Sequence, residues 1–291
     1  MLSQAAEKAI EFSRKYIKPA QREPFSPEMV QGARKSADEG NPFSFPAGVS
    51  LEEVASPVKG EFYRLEQKEL KDTVLLFLHG GAYATGTVKS RRGLAVKLGQ
   101  QVSCDVFAVD YTQYPEGRHP AAQNDIEAAY AYLRERYSHI LVFGESAGAT
   151  LALTLTLSLK EKGEKLPDRL ALFSPVISQL SILASEYLND DRDPMLVGAG
   201  DPVPYFTEPA KKDPLISPIY GDFQGFPPMM INCGSEEVKL DHSLILNYLA
   251  TKAGVDTALK VWPGLFHVFV LFDMPESDQA IKQIADFLRK G

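Results

Sequence analysis

Cysteine is nearly absent from this sequence: 291 residues contain two, Cys104 and Cys233. Both lie in or beside apolar, strand-like runs. Two free thiols are therefore expected rather than a disulfide framework, which fits a reducing compartment. No apolar run approaches the roughly 20 residues of a spanning helix. The opening stretch MLSQAAEKAIEFSRKYIKPAQ is broken by charge every few positions and has no apolar h-region. The expectation is a soluble, cytoplasmic protein without a membrane partner. Basic charge is also in short supply, with 31 Lys and Arg against 38 Asp and Glu and a net charge of −7. That balance disfavours a nucleic-acid partner, which would require a basic face. The small cluster Lys89, Arg91 and Arg92 reads as a solvated helix start. Internal repeats and low-complexity tracts are missing as well.

What is present is an ordinary globular composition, 44% hydrophobic and 24% charged. A chain of this length buries about three quarters of its unfolded surface and needs no disulfide or metal staple. Residues 1–20 mix apolar and charged residues at helical spacing, whereas residues 23–50 are rich in Pro, Gly and Ser and read as an irregular connection. Residues 61–66 alternate like a half-buried, antiparallel strand. Short apolar runs follow at 73–78, 106–109, 140–143, 170–173 and 229–233, with a weaker one at 259–262. Such runs suit strands buried on both faces. Helical patterns separate them at 90–102, 121–137, 147–162, 241–253 and 276–289. Alternation of this kind predicts right-handed crossovers and a mostly parallel central sheet flanked by helices, an α/β architecture. Residues 178–226 break the rhythm and are too long for a simple loop. They read as an inserted cap, packed with about residues 1–45, on a single domain spanning 1–291.

The segment ILVFGESAGA runs from a strand pattern into a helix pattern and contains G-x-S-x-G as Gly144, Glu145, Ser146, Ala147 and Gly148. A turn this tight holds the serine in a strained backbone, and glycines two before and two after it avoid clashes with neighbouring chain. The helix behind it points its positive end at the reacting centre. Upstream, HGGAY at 79–83 follows an apolar strand. Acyl transfer places negative charge on a carbonyl oxygen, and preorganised backbone N–H groups must meet it. The candidate donors are Gly81, Ala82 and Ala147. His79 reads as a brace for the loop.

Five histidines occur. A base that follows the nucleophile in chain order must be His242 or His267. His267, in WPGLFHVF after the last strand, can reach the same sheet edge, whereas His242 at a helix start reads as a surface residue or cap. The acid belongs on the loop after strand 229–233, where Glu236, Glu237 and Asp241 compete and position does not separate them. Asp241 has the look of a helix N-cap.

Taken together, HGGAY, DYTQYPEGRHPAAQND at 110–125, GESAGA, SP at 174–175, GSEEVKLDHS at 234–243 and WPGLFHVF resemble the hormone-sensitive-lipase-like esterases of the α/β-hydrolase fold. The resemblance spans about residues 62–287. It implies Ser146 as nucleophile, His267 as base and Glu237, the fourth residue of GSEE, as acid. It also implies a small-molecule acyl ester as substrate, no cofactor and no metal, and a possible homodimer. Three positions depart from the pattern. HGGA stands where the family has HGGG, so Ala82 serves as donor if its backbone is ordinary. YTQYPEG replaces a YRLAPE-like stretch, and Ser178 occupies the usual place of an Asp. The expected activity is short-chain carboxylesterase. An amidase, peptidase or lactonase could use the same residues, and a noncatalytic receptor of the same fold is the reading from another class.

Overall fold

The alternation of apolar residues decides the layers. In β3 (Thr73–Leu78), Val74, Leu76 and Leu78 belong to one buried cluster, while Leu75 and Phe77 belong to another. Successive strand side chains point to opposite faces, so a fully apolar strand must be covered on both sides. A computed structural model describes residues 1–198, 204–208 and 212–290 and shows that covering. Helices α3 (Val88–Val102) and α8 (Pro275–Leu288) pack on one face together with α1 (Gln4–Phe12). Helices α4 (Ala121–Arg134), α5 (Ala147–Glu161) and α7 (Leu240–Lys252) pack on the other. Each large apolar side chain removed from water contributes roughly 1.5–3 kcal/mol.

The described residues form one eight-stranded sheet in the order β1-β2-β4-β3-β5-β6-β7-β8. Strands β1 (Val49–Val54) and β2 (Gly60–Leu65) are antiparallel to their neighbours. From β4 (Asp105–Val109) through β3, β5 (His139–Glu145), β6 (Arg169–Phe173), β7 (Met229–Gly234) and β8 (Thr257–Trp262) every pairing is parallel. The antiparallel strand expected at 61–66 is β2, buried along most of its length rather than half-buried, and the expected parallel core and five helices are present with ends moved by a few residues.

Residues 23–50 correct the expectation of an irregular connection. They contain helix α2 (Pro27–Gly40) and the start of β1. Ser26 caps α2 by accepting from Met29 N–H, and Pro27 sits where a missing N–H costs nothing. The Pro and Ser that looked like loop residues are start signals of a helix. In the stretch 178–226 the described residues hold only a short helix, α6 (Ser185–Leu188), and a 3₁₀ turn, Pro218–Tyr220. Residues 199–203 and 209–211 of the expected cap lie outside the described residues. No helix among the described residues is long and apolar enough to cross a membrane.

Candidate active site

Strand β5 ends at Glu145 and α5 begins at Ala147, so Ser146 alone makes the turn. Its φ of 53° and ψ of −119° lie where non-glycine residues are strained. A Cβ at Gly148 would meet the Leu78 carbonyl oxygen at 1.9 Å, and one at Gly144 would meet the Gly148 carbonyl oxygen at 2.4 Å. Both glycines are steric requirements of the turn. The N–H of Ser146 donates to the Phe173 carbonyl at 2.8 Å, which holds the turn onto the end of β6.

His267 and Glu237 meet Ser146 from separate loops. His267 Nε2 is 2.9 Å from Ser146 Oγ, and its Nδ1 is 2.7 Å from Glu237 Oε2. Both residues are buried. The second oxygen of Glu237 accepts from Gly234 N–H at 2.7 Å and from Ser174 Oγ at 3.2 Å. The Glu237 loop is held from the far side as well. Asn189 Nδ2 donates to the Glu237 carbonyl at 3.0 Å, and Asp193 Oδ2 accepts Val238 N–H at 3.0 Å.

The other acid candidates point elsewhere. Asp241 accepts from Ser185 N–H at 2.8 Å. It lies in the first turn of α7, one residue inside the helix, because Lys239 holds the capping position. Glu236 pairs with Arg192 at 2.6 Å near the surface. His242 is neither a surface residue nor a cap, which corrects that expectation. It is fully buried, its Nδ1 accepts from Ile177 N–H at 3.0 Å, and its Nε2 is 3.5 Å from Glu186 Oε1. That last distance is long for a hydrogen bond. Lys239 bonds the same Glu186 oxygen. His242 lies on the buried side of α7 with Ser243, Leu246 and Ala250, a placement that a helix-start reading does not foresee.

Gly81, Ala82 and Ala147 line the same cavity as Ser146 and His267, an open space of about 1310 Å³. Among the described residues their N–H groups donate to no other protein atom. The ordinary backbone on which the donor role of Ala82 is made conditional is not found: its φ is +53°, and that of Tyr83 is +56°. The tight turn of this loop imposes the conformation, which a glycine takes without strain. His79 braces the loop as expected, with Nδ1 donating to the Gly80 carbonyl at 2.8 Å and its ring stacked on Tyr111. Burial pushes its imidazole down to about 3.

The basic cluster is also corrected. Lys89 is exposed, but Arg91 Nε donates to the buried Glu145 at 2.9 Å and Arg92 forks onto Glu61 at 2.6 and 2.8 Å. These are inward-facing ion pairs that hold α3 against the sheet. Sequence reasoning missed Glu145, Arg91, Ser174, Asn189 and Asp193 as parts of this neighbourhood. The first three offered no pattern beyond the motifs and basic cluster that hold them, and Asn189 and Asp193 lay in a segment without periodicity.

Residues 75–271 match the sequence family described as alpha/beta hydrolase fold. The chain belongs to that family. An acetyl-hydrolase of Streptomyces hygroscopicus is 36% identical over 227 residues, covering 74% of this chain and 75% of the relative. An esterase of Acinetobacter venetianus is 34% identical over 226 residues, 74% of each chain. Among solved structures, an esterase from the bacterial hormone-sensitive lipase family superposes with a TM-score of 0.89 at 29% identity, over 100% of this chain and 99% of the other. EstE5, in a crystal soaked with p-nitrophenyl butyrate, gives 0.90 at 27% identity, over 99% and 98%. This α/β-hydrolase therefore falls with the hormone-sensitive-lipase-like esterases, as its motifs implied, and is an esterase.

Proposed function

We propose that this α/β-hydrolase is a serine carboxylesterase of short-chain acyl esters, with Ser146 as nucleophile, His267 as base and Glu237 as acid. One observation carries the reading. Ser146 Oγ, His267 and Glu237 form a continuous relay with steps of 2.9 and 2.7 Å.

The chemistry follows from that relay. His267 Nδ1–H donates to Glu237, which leaves Nε2 unprotonated and facing the hydroxyl. Ser146 Oγ attacks the ester carbonyl while Nε2 takes its proton. The N–H groups of Gly81, Ala82 and Ala147 receive the developing oxyanion, and the N-terminus of α5 favours the same charge. The imidazolium, stabilised by Glu237, then protonates the leaving alcohol. Water attacks the acyl-enzyme with His267 again as base, and the carboxylic acid departs. The substrate class is supported by relatives named acetyl-hydrolase and ethyl acetate hydrolase.

The cap belongs to the same proposal. Residues 21–25 and 178–181 line the same cavity as Ser146, and Lys18 donates to the Asp193 carbonyl at 2.8 Å, which ties the N-terminal stretch to the inserted one. A cytoplasmic, reducing setting accords with two buried, unpaired cysteines.

The test is turnover of p-nitrophenyl acetate and butyrate by Ser146→Ala, with fluorophosphonate labelling of the wild type. Loss of several orders of magnitude in kcat is expected, with the label on Ser146. Near-normal turnover in Ser146→Ala overturns the assignment.

A further inference from the structure

The serine of the SP pair at 174–175 takes no part in the mechanism above, yet it sits between the acid and the base. Ser174 is fully buried. Its Oγ donates to Glu237 Oε1 at 3.2 Å and accepts Val268 N–H, the residue directly after the base, at 3.1 Å. Its own N–H donates to the Asn232 carbonyl on β7 at 2.7 Å. One hydroxyl therefore ties the end of β6 to the acid loop and to the base loop.

The backbone points the same way. Six non-glycine residues have positive φ among the described residues: Ala82, Tyr83, Ser103, Ser146, Ser174 and Val268. All but Ser103 lie on the nucleophile, the oxyanion loop or this acid–base junction. Ser174, at +49°, and Val268, at +45°, are the two partners of one hydrogen bond. A β-branched residue in that region is an outlier, and such conformations persist where surrounding contacts over-determine them.

We infer that Ser174 is a positioning residue for the acid–base pair, holding the Glu237 carboxylate in plane and drawing off part of its charge through the hydroxyl bond. The geometry supports both effects. With Oε1 taken by Gly234 N–H and Ser174 Oγ, only Oε2 faces His267, so the carboxylate has one rotamer and one partner for the imidazole. A hydroxyl donor also spreads the negative charge that faces the imidazole of His267. Without it, the Glu237 charge concentrates on the imidazolium and the base is released at higher pH. The inference rests on the proposed roles of Ser146, His267 and Glu237.

The experiment is the pH profile of kcat and kcat/KM for p-nitrophenyl butyrate in Ser174→Gly and Ser174→Ala, beside wild type and Ser146→Ala. Glycine takes φ +49° without strain, so Ser174→Gly removes the hydroxyl while relaxing the backbone and keeps the test open if Ser174→Ala does not fold. Both variants are expected to lose about ten-fold to a hundred-fold in kcat, with KM within about three-fold of wild type. The acid limb of kcat/KM is expected to move to higher pH by about half a unit or more. Asp193 and His242, the other titratable groups whose charge reaches His267, stay in place in every variant. A Ser174→Gly enzyme with wild-type kcat and an unmoved acid limb, beside an inactive Ser146→Ala, overturns the role of Ser174 and leaves the triad standing. So does a loss of thermal stability alone. Turnover retained by Ser146→Ala overturns the triad and this inference with it.

Discussion

The N–H of Gly80 donates to Glu145 Oε1 at 2.6 Å, and the same oxygen receives Arg91 Nε at 2.9 Å. The residue before Ser146 thus holds the loop that carries Gly81 and Ala82. Glu145 is buried, and Arg91 on α3 supplies its cation. Removing one member of such a pair leaves an uncompensated charge, at a cost of about 3 kcal/mol or more for fully buried pairs. Arg91 retains some exposure, so the smaller end of that range applies. Arg91→Met is expected to lower the thermal midpoint by about 5 °C and to reduce kcat. Adding Glu145→Gln should restore part of the midpoint. A single variant that melts like wild type would show that the pair does not hold this loop.

The choice of acid separates cleanly by kinetics. Glu237→Gln keeps the shape but cannot stabilise the imidazolium, and kcat should fall by about three orders of magnitude or more. Asp241→Asn should stay within about three-fold, because its carboxylate holds Ser185 and not the base. Equal losses in the two variants would put the assignment of Glu237 in error.

Ala82 carries a left-handed conformation that costs an L-residue about 1–2 kcal/mol. Ala82→Gly should raise the thermal midpoint by about 2 °C while kcat/KM stays within a few-fold. Val at the same position adds a branched Cβ to that strain and should cost both stability and activity. Differential scanning calorimetry reads the first effect, and a lower midpoint for Ala82→Gly would count against strain at this site.

Acid should destabilise the fold through its buried imidazoles. Burial pushes His242 down to about 4 and His79 down to about 3. An unfolded chain protonates histidine near 6.5. Between these values the unfolded state binds more protons, so stability is complete above about pH 6.5 and declines as pH falls toward 4 and 3. Glu186 extends the loss below about pH 4.5. Burial raises its carboxyl, but His242 and Lys239 outweigh that and hold it at about 2. His242→Asn places an amide oxygen where Nδ1 accepts from Ile177 and removes the titration. The drop in thermal midpoint from about pH 7 to pH 4 should then be shallower than in wild type. Parallel slopes would assign the acid sensitivity to other groups.

Much of the site was legible in the sequence because its chemistry is local. Gly144, Ser146 and Gly148 occupy one turn, and their spacing states the steric problem and its solution. His267 could be chosen by chain order and loop position. His242 was misread because nothing in a helix-start pattern says which way the helix rolls. Its burial follows from the meeting of α7 with the 174–178 segment and with Glu186 of α6. Residues 26–40 were misread because Ser26 and Pro27 serve equally well as loop residues and as helix starts. Only the packing of α2 against α3 selects the helix.

The sequence by itself determined the α/β alternation, the tight turn at Ser146, the HGGAY loop and the choice of His267 as candidate base. Each is written in residues adjacent along the chain, where backbone sterics and hydrophobic periodicity act. Tertiary structure alone brought Glu237, of three neighbouring carboxylates, against His267 and aimed Arg91 inward. It also decided the meeting of Ser174, Glu237 and Val268. Those relations join loops 63 and 94 positions apart. Their geometry is set by the register of β6, β7 and β8 in the sheet, a long-range pairing that no local pattern of residues encodes.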